Sequence, residues 1–72
     1  MFSQPQLIRG RIRFYDHDRK LGSISAGGQF FFIDSSSLLK STARQLREGT
    51  NVIFRAGHGK GVQLAEDIAI DN

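Results

Sequence analysis

Leu7-Ile8-Arg9-Gly10-Arg11-Ile12-Arg13-Phe14-Tyr15 is the stretch whose reading decides the fold. Ile8, Gly10, Ile12 and Phe14 fall on one parity, and Arg9, Arg11, Arg13 and Tyr15 on the other. A period of two carried by β-branched and aromatic residues marks a strand with one face buried and one face in water. Such a strand needs partners, and glycine, Asx and serine cut the rest of the chain into short pieces that supply them.

Asp16-His17-Asp18 offers a polar turn, and Leu21-Gly22-Ser23-Ile24-Ser25 a short second strand. Ala26-Gly27-Gly28 brings residues that tolerate positive φ, a hairpin signal. The third strand, Gln29 to Asp34, places Phe30 and Phe32 on one face and Phe31 and Ile33 on the other. Phe30 and Phe32 share their parity with Ile24 and Val52, which assigns them, with Phe54, to the core. Phe31 is thereby expected outside. Residues 35–48 differ in character. Leu38, Leu39, Ala43 and Leu46 recur at helical spacing, Thr42 and Gln45 stand in capping-box order, and Gly49 sits where a helix would end. A helical segment is expected over about Ser37 to Arg47. Asn51 to Arg55 reads as a fourth strand, Gly57-His58-Gly59-Lys60-Gly61 as a flexible loop, and Val62 to Ile70 as a fifth strand. The expected fold is all-β: a five-stranded antiparallel OB-fold barrel with a short helix between strands three and four, one domain over residues 1–72.

Composition sets bounds on function. A chain of 72 residues buries only about 60% of its unfolded surface, so one core has to carry its stability. There is no cysteine, which excludes disulfides and thiolate metal sites. Met1 to Gln6 shows no basic segment leading into an apolar run, and the longest apolar run, Phe30 to Ile33, is too short to span a bilayer. A cytoplasmic protein without membrane partners is expected. The net charge is +3, unevenly spread. Arg9, Arg11, Arg13, Arg19 and Lys20 face only Asp16 and Asp18 within residues 1–33, whereas residues 51–72 are slightly acidic. A basic front half points to phosphate or another polyanion, with a solvated strand face as the plainer alternative.

Four segments, in order, resemble the cold-shock domain family. Gly10-Arg11-Ile12-Arg13-Phe14-Tyr15-Asp16 is similar to its first strand, where a glycine precedes a basic residue, two aromatics and an Asn. Lys20-Leu21-Gly22-Ser23-Ile24 lies where the family has Lys-Gly-Phe-Gly-Phe-Ile, with Arg19 at the lysine and Lys20 at the first glycine. Gln29-Phe30-Phe31-Phe32-Ile33-Asp34-Ser35 lies where the family has Asp-Val-Phe-Val-His-Phe-Ser. Leu46 to Phe54 looks like the family's Leu-x-Glu-Gly-x-x-Val-x-Phe, and Gly59-Lys60-Gly61 and Ala65-Glu66-Asp67-Ile68 extend the likeness along the chain.

The resemblance implies sequence-tolerant binding of single-stranded RNA or DNA, as an RNA chaperone or a modulator of transcription or translation. Aromatics on strands one to three would stack bases, and surrounding cations would follow the phosphates. On this alignment Phe14 stands for the family's tryptophan, and Tyr15 and Phe31 keep aromatic character. Leu21 and Ser23 replace two phenylalanines, Ile33 a histidine and Asp34 a phenylalanine. The platform is therefore expected to be depleted and the binding weak. A phenylalanine at Ser23 would point outward, clear of the core. Alternation buries Phe14 and exposes Tyr15, whereas the family pattern exposes both, which requires a bulge in strand one. The candidate binding residues are Arg11, Arg13, Phe14, Tyr15, Arg19, Lys20, Leu21, Phe31, Ile33 and Lys60.

Catalysis finds no support in the sequence. Asp16-His17-Asp18 are adjacent turn residues that do not converge easily on one ion, and His58 has no ligand nearby in sequence. The Gly57 to Gly61 run lacks the full phosphate-loop pattern, and Ser35-Ser36-Ser37 has no paired base. No enzyme activity, cofactor or metal is expected. The rival reading is an OB-fold protein-interaction module or weak homodimer, with Leu21, Phe31 and Ile33 as an apolar patch.

Overall fold

The computed structural model describes residues 7–34, 38, 40–59 and 61–71. Five strands follow one another as β1 (Leu7–Asp16), β2 (Leu21–Ala26), β3 (Gln29–Ile33), β4 (Asn51–Gly59) and β5 (Val62–Ile70). They close into a barrel in the order β1-β2-β3-β5-β4. All pairings are antiparallel except one: β3 and β5 run parallel, with Phe32 opposite Leu64 and Ile33 opposite Ala65. That pairing joins the first three strands to the last two, so the barrel has the OB-like architecture expected. No helix among the described residues is long and apolar enough to cross a membrane.

One core fills the barrel. Ile12, Ile24, Phe31, Ile33, Val52, Phe54 and Ala65 are buried there, and Leu46 and Ile68 join the same cluster. Phe31 meets Phe54 edge-on with ring centroids 5.0 Å apart. Such a pair adds about 0.5–1.5 kcal/mol beyond the area it removes from water.

The hairpin between β2 and β3 determines which phenylalanines reach this core. Gly27 and Gly28 both take positive φ, 58° and 79°. They form the two-residue loop between Ala26 and Gln29, which are paired. Counting back from that turn sets Ser25 opposite Phe30, Ile24 opposite Phe31 and Ser23 opposite Phe32. Ile24 points inward, so Phe31 does too. This corrects the expectation from numerical parity: Phe30 and Phe32 lie outside, and Phe31 and Ile33, expected on the binding face, lie in the core.

Part of the connection between β3 and β4 is helical. α1 is a single turn, Lys40–Ala43, within the longer helix expected. Leu38 packs against the core and Leu46 is fully buried, so the segment closes one end of the barrel. Leu39 lies outside the described residues. A further correction concerns β4. The strand runs on through Gly57, His58 and Gly59, which pair with Leu64, Gln63 and Val62 instead of forming a loop. Gly59 leaves room for the Leu64 side chain, whose Cδ1 would lie 2.7 Å from a Cβ placed there.

Candidate functional site

The site begins with an irregularity in β1. Ile12 pairs with Ile24 and Phe14 with Ser23, so the register slips by one residue between them. Arg13 is the extra residue, and the bulge turns both Arg13 and Phe14 to the outside. Beyond it the alternation resumes with the opposite sense. Tyr15 turns inward, is half-buried and packs on the core. Gly22, opposite Tyr15, makes that possible: a Cβ there would lie 2.8 Å from the Tyr15 ring. The expected bulge in β1 is present, and of the two aromatics it exposes Phe14 and not Tyr15. Tyr15, a candidate binding residue, is half-buried against the core. Its hydroxyl is buried without a hydrogen-bond partner among the described residues. Burial first, and the neighbouring Asp16 carboxylate second, raise its pKa above the ordinary value of 10.0.

The pairings arrange the outer face of β1, β2 and β3 in transverse rows. Phe14, Ser23 and Phe32 form one row, and Arg11, Ser25 and Phe30 the next. Phe14, Phe30 and Phe32 are 49%, 55% and 52% exposed, far more than a ring normally leaves in water without use. Phe30 and Phe32 are two residues apart on one strand, about 6.8 Å. The Arg13 guanidinium lies over the Phe30 ring, 4.2 Å from its centroid. This cation–π contact pairs charge with an open aromatic surface. Leu21 and Val62 extend the apolar area, 48% and 42% exposed. Between Phe14, Leu21, Phe32, Val62 and Leu64 lies an open depression of about 420 Å³, with Asp16, Arg19 and Asp34 at its rim.

Ser23 does not behave as the alignment suggests. It is on the outer face, yet it is only 4% exposed, because Phe14 and Phe32 stand directly beside it on the flanking strands. A phenylalanine at 23 would have to find room between these two paired neighbours.

The β1–β2 turn presents further cations. Asp16 Oδ1 accepts hydrogen bonds from the backbone amides of Asp18 (2.9 Å) and Arg19 (3.1 Å), closing the turn. Lys20 adopts left-handed geometry, φ 58°, where its backbone N–H donates to the Asp16 carbonyl at 2.7 Å. A non-glycine residue there costs roughly 1–2 kcal/mol. Arg19 and Lys20 are both exposed, and Arg19 ion-pairs loosely with Asp16 at 4.0 Å.

His17 Nε2 donates to the Leu46 carbonyl at 2.9 Å, and its ring stands edge-on to Tyr15 at 4.7 Å. It ties the turn to the β3–β4 connection. Among the described residues no group of His, Asp and Glu could hold a metal ion.

Of the ten candidate residues, the structure thus gathers Arg11, Arg13, Phe14, Arg19 and Leu21 on one face, leaves Lys20 exposed in the adjoining turn, and buries Phe31, Ile33 and much of Tyr15. Lys60 lies outside the described residues. Phe30, Phe32 and Val62 belong to the face and are missed by the alignment. The signal for the two phenylalanines is present in the sequence: a two-residue Gly-Gly hairpin puts residues of opposite number parity on the same face. No protein-family model matches the chain, and no curated protein sequence matches it.

Proposed function

We propose that this barrel binds single-stranded nucleic acid without a strong sequence requirement, through the outer face of β1–β3, in the manner of the cold-shock domains its sequence resembles. One observation carries the reading: three exposed phenylalanines, Phe14, Phe30 and Phe32, share one face with Arg11 and Arg13, with Arg19 at its edge. Every base has a π-face, so rings in the open accept any base, each worth about 1–3 kcal/mol. Cations beside the rings neutralise phosphates. The role is one of binding, as an RNA chaperone or modulator of transcription or translation, and not of catalysis.

Recovering Phe30 and Phe32 for the face changes the expected strength. The alignment left Phe14 with few companions. Three rings support a firmer platform, and Leu21 and Val62 add apolar contact to it. Asp16 and Asp34 make one end of the face less hospitable to phosphate, so the strand's backbone is expected to run over the arginine side.

The test is a titration of fluorescent oligo-dT and oligo-U across salt concentrations, with wild type and a Phe30→Ala/Phe32→Ala double variant. The expected result is a log–log salt slope of roughly −0.7 for each phosphate contact, with weaker binding by the variant at every salt. A second reading rests on Leu21 and Val62, which widen the apolar patch into one that fits a protein partner or a second copy. Failure to bind either oligonucleotide, with self-association that strengthens at high salt, would favour it and overturn the first.

A further inference from the structure

A second concavity adjoins the aromatic face, on the side away from Asp16 and Asp34. It is a groove of about 340 Å³ lined by Arg9, Arg11, Ser25, Asn51 and Asp71 with the backbone of Gly10 and the β2–β3 turn. Arg11 is its centre. Because β1 pairs with β2 on one side and β4 on the other, Arg11 stands opposite both Ser25 and Asn51. Ser25 in turn stands opposite Phe30. Asn51, Arg11, Ser25 and Phe30 therefore form one continuous row across four strands. At about 4.8 Å per strand the row spans roughly 14 Å.

The donors in this row are held in place. Arg11 Nε donates to Asn51 Oδ1, 3.4 Å away. Asn51 thereby keeps its amide N–H group free to point elsewhere, and Arg11 keeps its terminal N–H groups. Arg9 is drawn to the rim by Asp71, Nε to Oδ2 3.7 Å. Two guanidiniums against one carboxylate leave the groove cationic. Arg9 and Arg11 are largely in solvent, so an incoming anion does not have to displace a buried pair.

We infer that this groove is a phosphodiester subsite, and that a strand stacked on Phe30 leaves the aromatic face across β1 toward β4, its backbone held by Arg11, Arg9, Ser25 and Asn51. The inference rests on the proposed nucleic-acid function and adds to it a path, a direction across the barrel and a longer footprint. The 14 Å row is long enough for about two nucleotides past the base on Phe30, since adjacent stacking rings on β3 already set a step of about 6.8 Å. Phosphate recognition in the groove is independent of base identity, because guanidinium and amide donors meet only phosphate oxygens there.

The experiment compares a labelled trinucleotide with a labelled hexanucleotide of dT, on the full chain, for wild type, Arg9→Ala and Asn51→Asp, with a thermal melt of each. Wild type is expected to bind the hexanucleotide about tenfold or more tighter than the trinucleotide. Arg9→Ala and Asn51→Asp should remove most of that gain while leaving trinucleotide binding within about twofold. The salt slope on the hexanucleotide should become shallower by roughly 0.7 for each phosphate that the variant no longer holds. Asp71→Asn, which removes the opposing carboxylate, should tighten the hexanucleotide selectively. Equal weakening on both lengths would mean a general charge effect and overturn the subsite. So would a wild-type affinity indifferent to length. Either result would leave the aromatic-face reading standing, because the trinucleotide would still bind; loss of trinucleotide binding in wild type would instead defeat that reading.

Discussion

The two faces of β3 use the same residue type for opposite ends. Phe31 is 4% exposed and packs edge-on against Phe54, while Phe30 and Phe32, its chain neighbours, are more than half in water. Inside, a ring contributes by leaving water and filling space among Ile24, Ile33 and Val52. Outside, the same ring gives up that gain and keeps a flat surface open, beside Arg13 and Leu21. The difference teaches that hydrophobicity alone does not locate a core. Position across the hairpin does.

The largest expected effect tests the inner face. Phe31→Ala should cost about 3–5 kcal/mol of stability, enough to unfold much of a domain this small. Thermal or urea melts would show it, and a variant as stable as wild type would return Phe31 to the outer face. The outer face should respond in the opposite way. Phe30→Ala and Phe32→Ala should each weaken oligonucleotide binding by about 1–3 kcal/mol, while their melting transitions stay within about 0.5–1 kcal/mol of wild type. The comparison fails if binding and stability fall together.

Ser23→Phe sharpens the contrast. Family likeness alone expects an added stacking ring, but Ser23 is covered by Phe14 and Phe32. Forcing a third ring between them should destabilise by about 1–3 kcal/mol and leave binding no tighter. Calorimetry beside a titration decides it. A stable variant with higher affinity would show that the two flanking rings spread apart easily.

The smallest effect belongs to Tyr15, the aromatic that the bulge turned inward. Its hydroxyl is buried without a partner among the described residues, so Tyr15→Phe should be neutral or stabilising by about 1 kcal/mol. Because its folded pKa is raised above the ordinary value of 10.0, the folded state holds the phenolic proton more tightly than the unfolded chain. That contribution is fully present below pH 10 and is lost as pH rises toward the folded pKa. Melts of wild type should therefore fall over this alkaline range, and Tyr15→Phe should reduce the fall. Identical alkaline profiles would mean that Tyr15 is effectively solvated.

Much of the molecule was legible in its residues. The alternation from Leu7 to Ile12 marks β1 with its arginines outward, the Gly27-Gly28 pair marks a hairpin, and the segment punctuation yields five strands in the right order. These signals are local, since each depends on pleat, turn or charge within a few residues. The short reach of α1 and the extension of β4 were less legible. A single helical turn is held by Leu38 and Leu46 reaching the barrel, and Gly57 to Gly59 become strand because β5 passes alongside.

For the binding face the division runs through particular side chains. Sequence by itself determined that β1 carries a basic side, that three phenylalanines crowd β3, and that a turn over Ala26-Gly27-Gly28 joins β2 to β3. Tertiary structure decided which of those rings faces water, that Arg13 bulges outward with Phe14 while Tyr15 turns in, and that Ser23 is closed over by its neighbours. It alone brought Asn51 beside Arg11, forty residues away in the chain. The reason is physical: a strand's period of two defines two faces, but only pairing with other strands and closure of the barrel determine which one is inside.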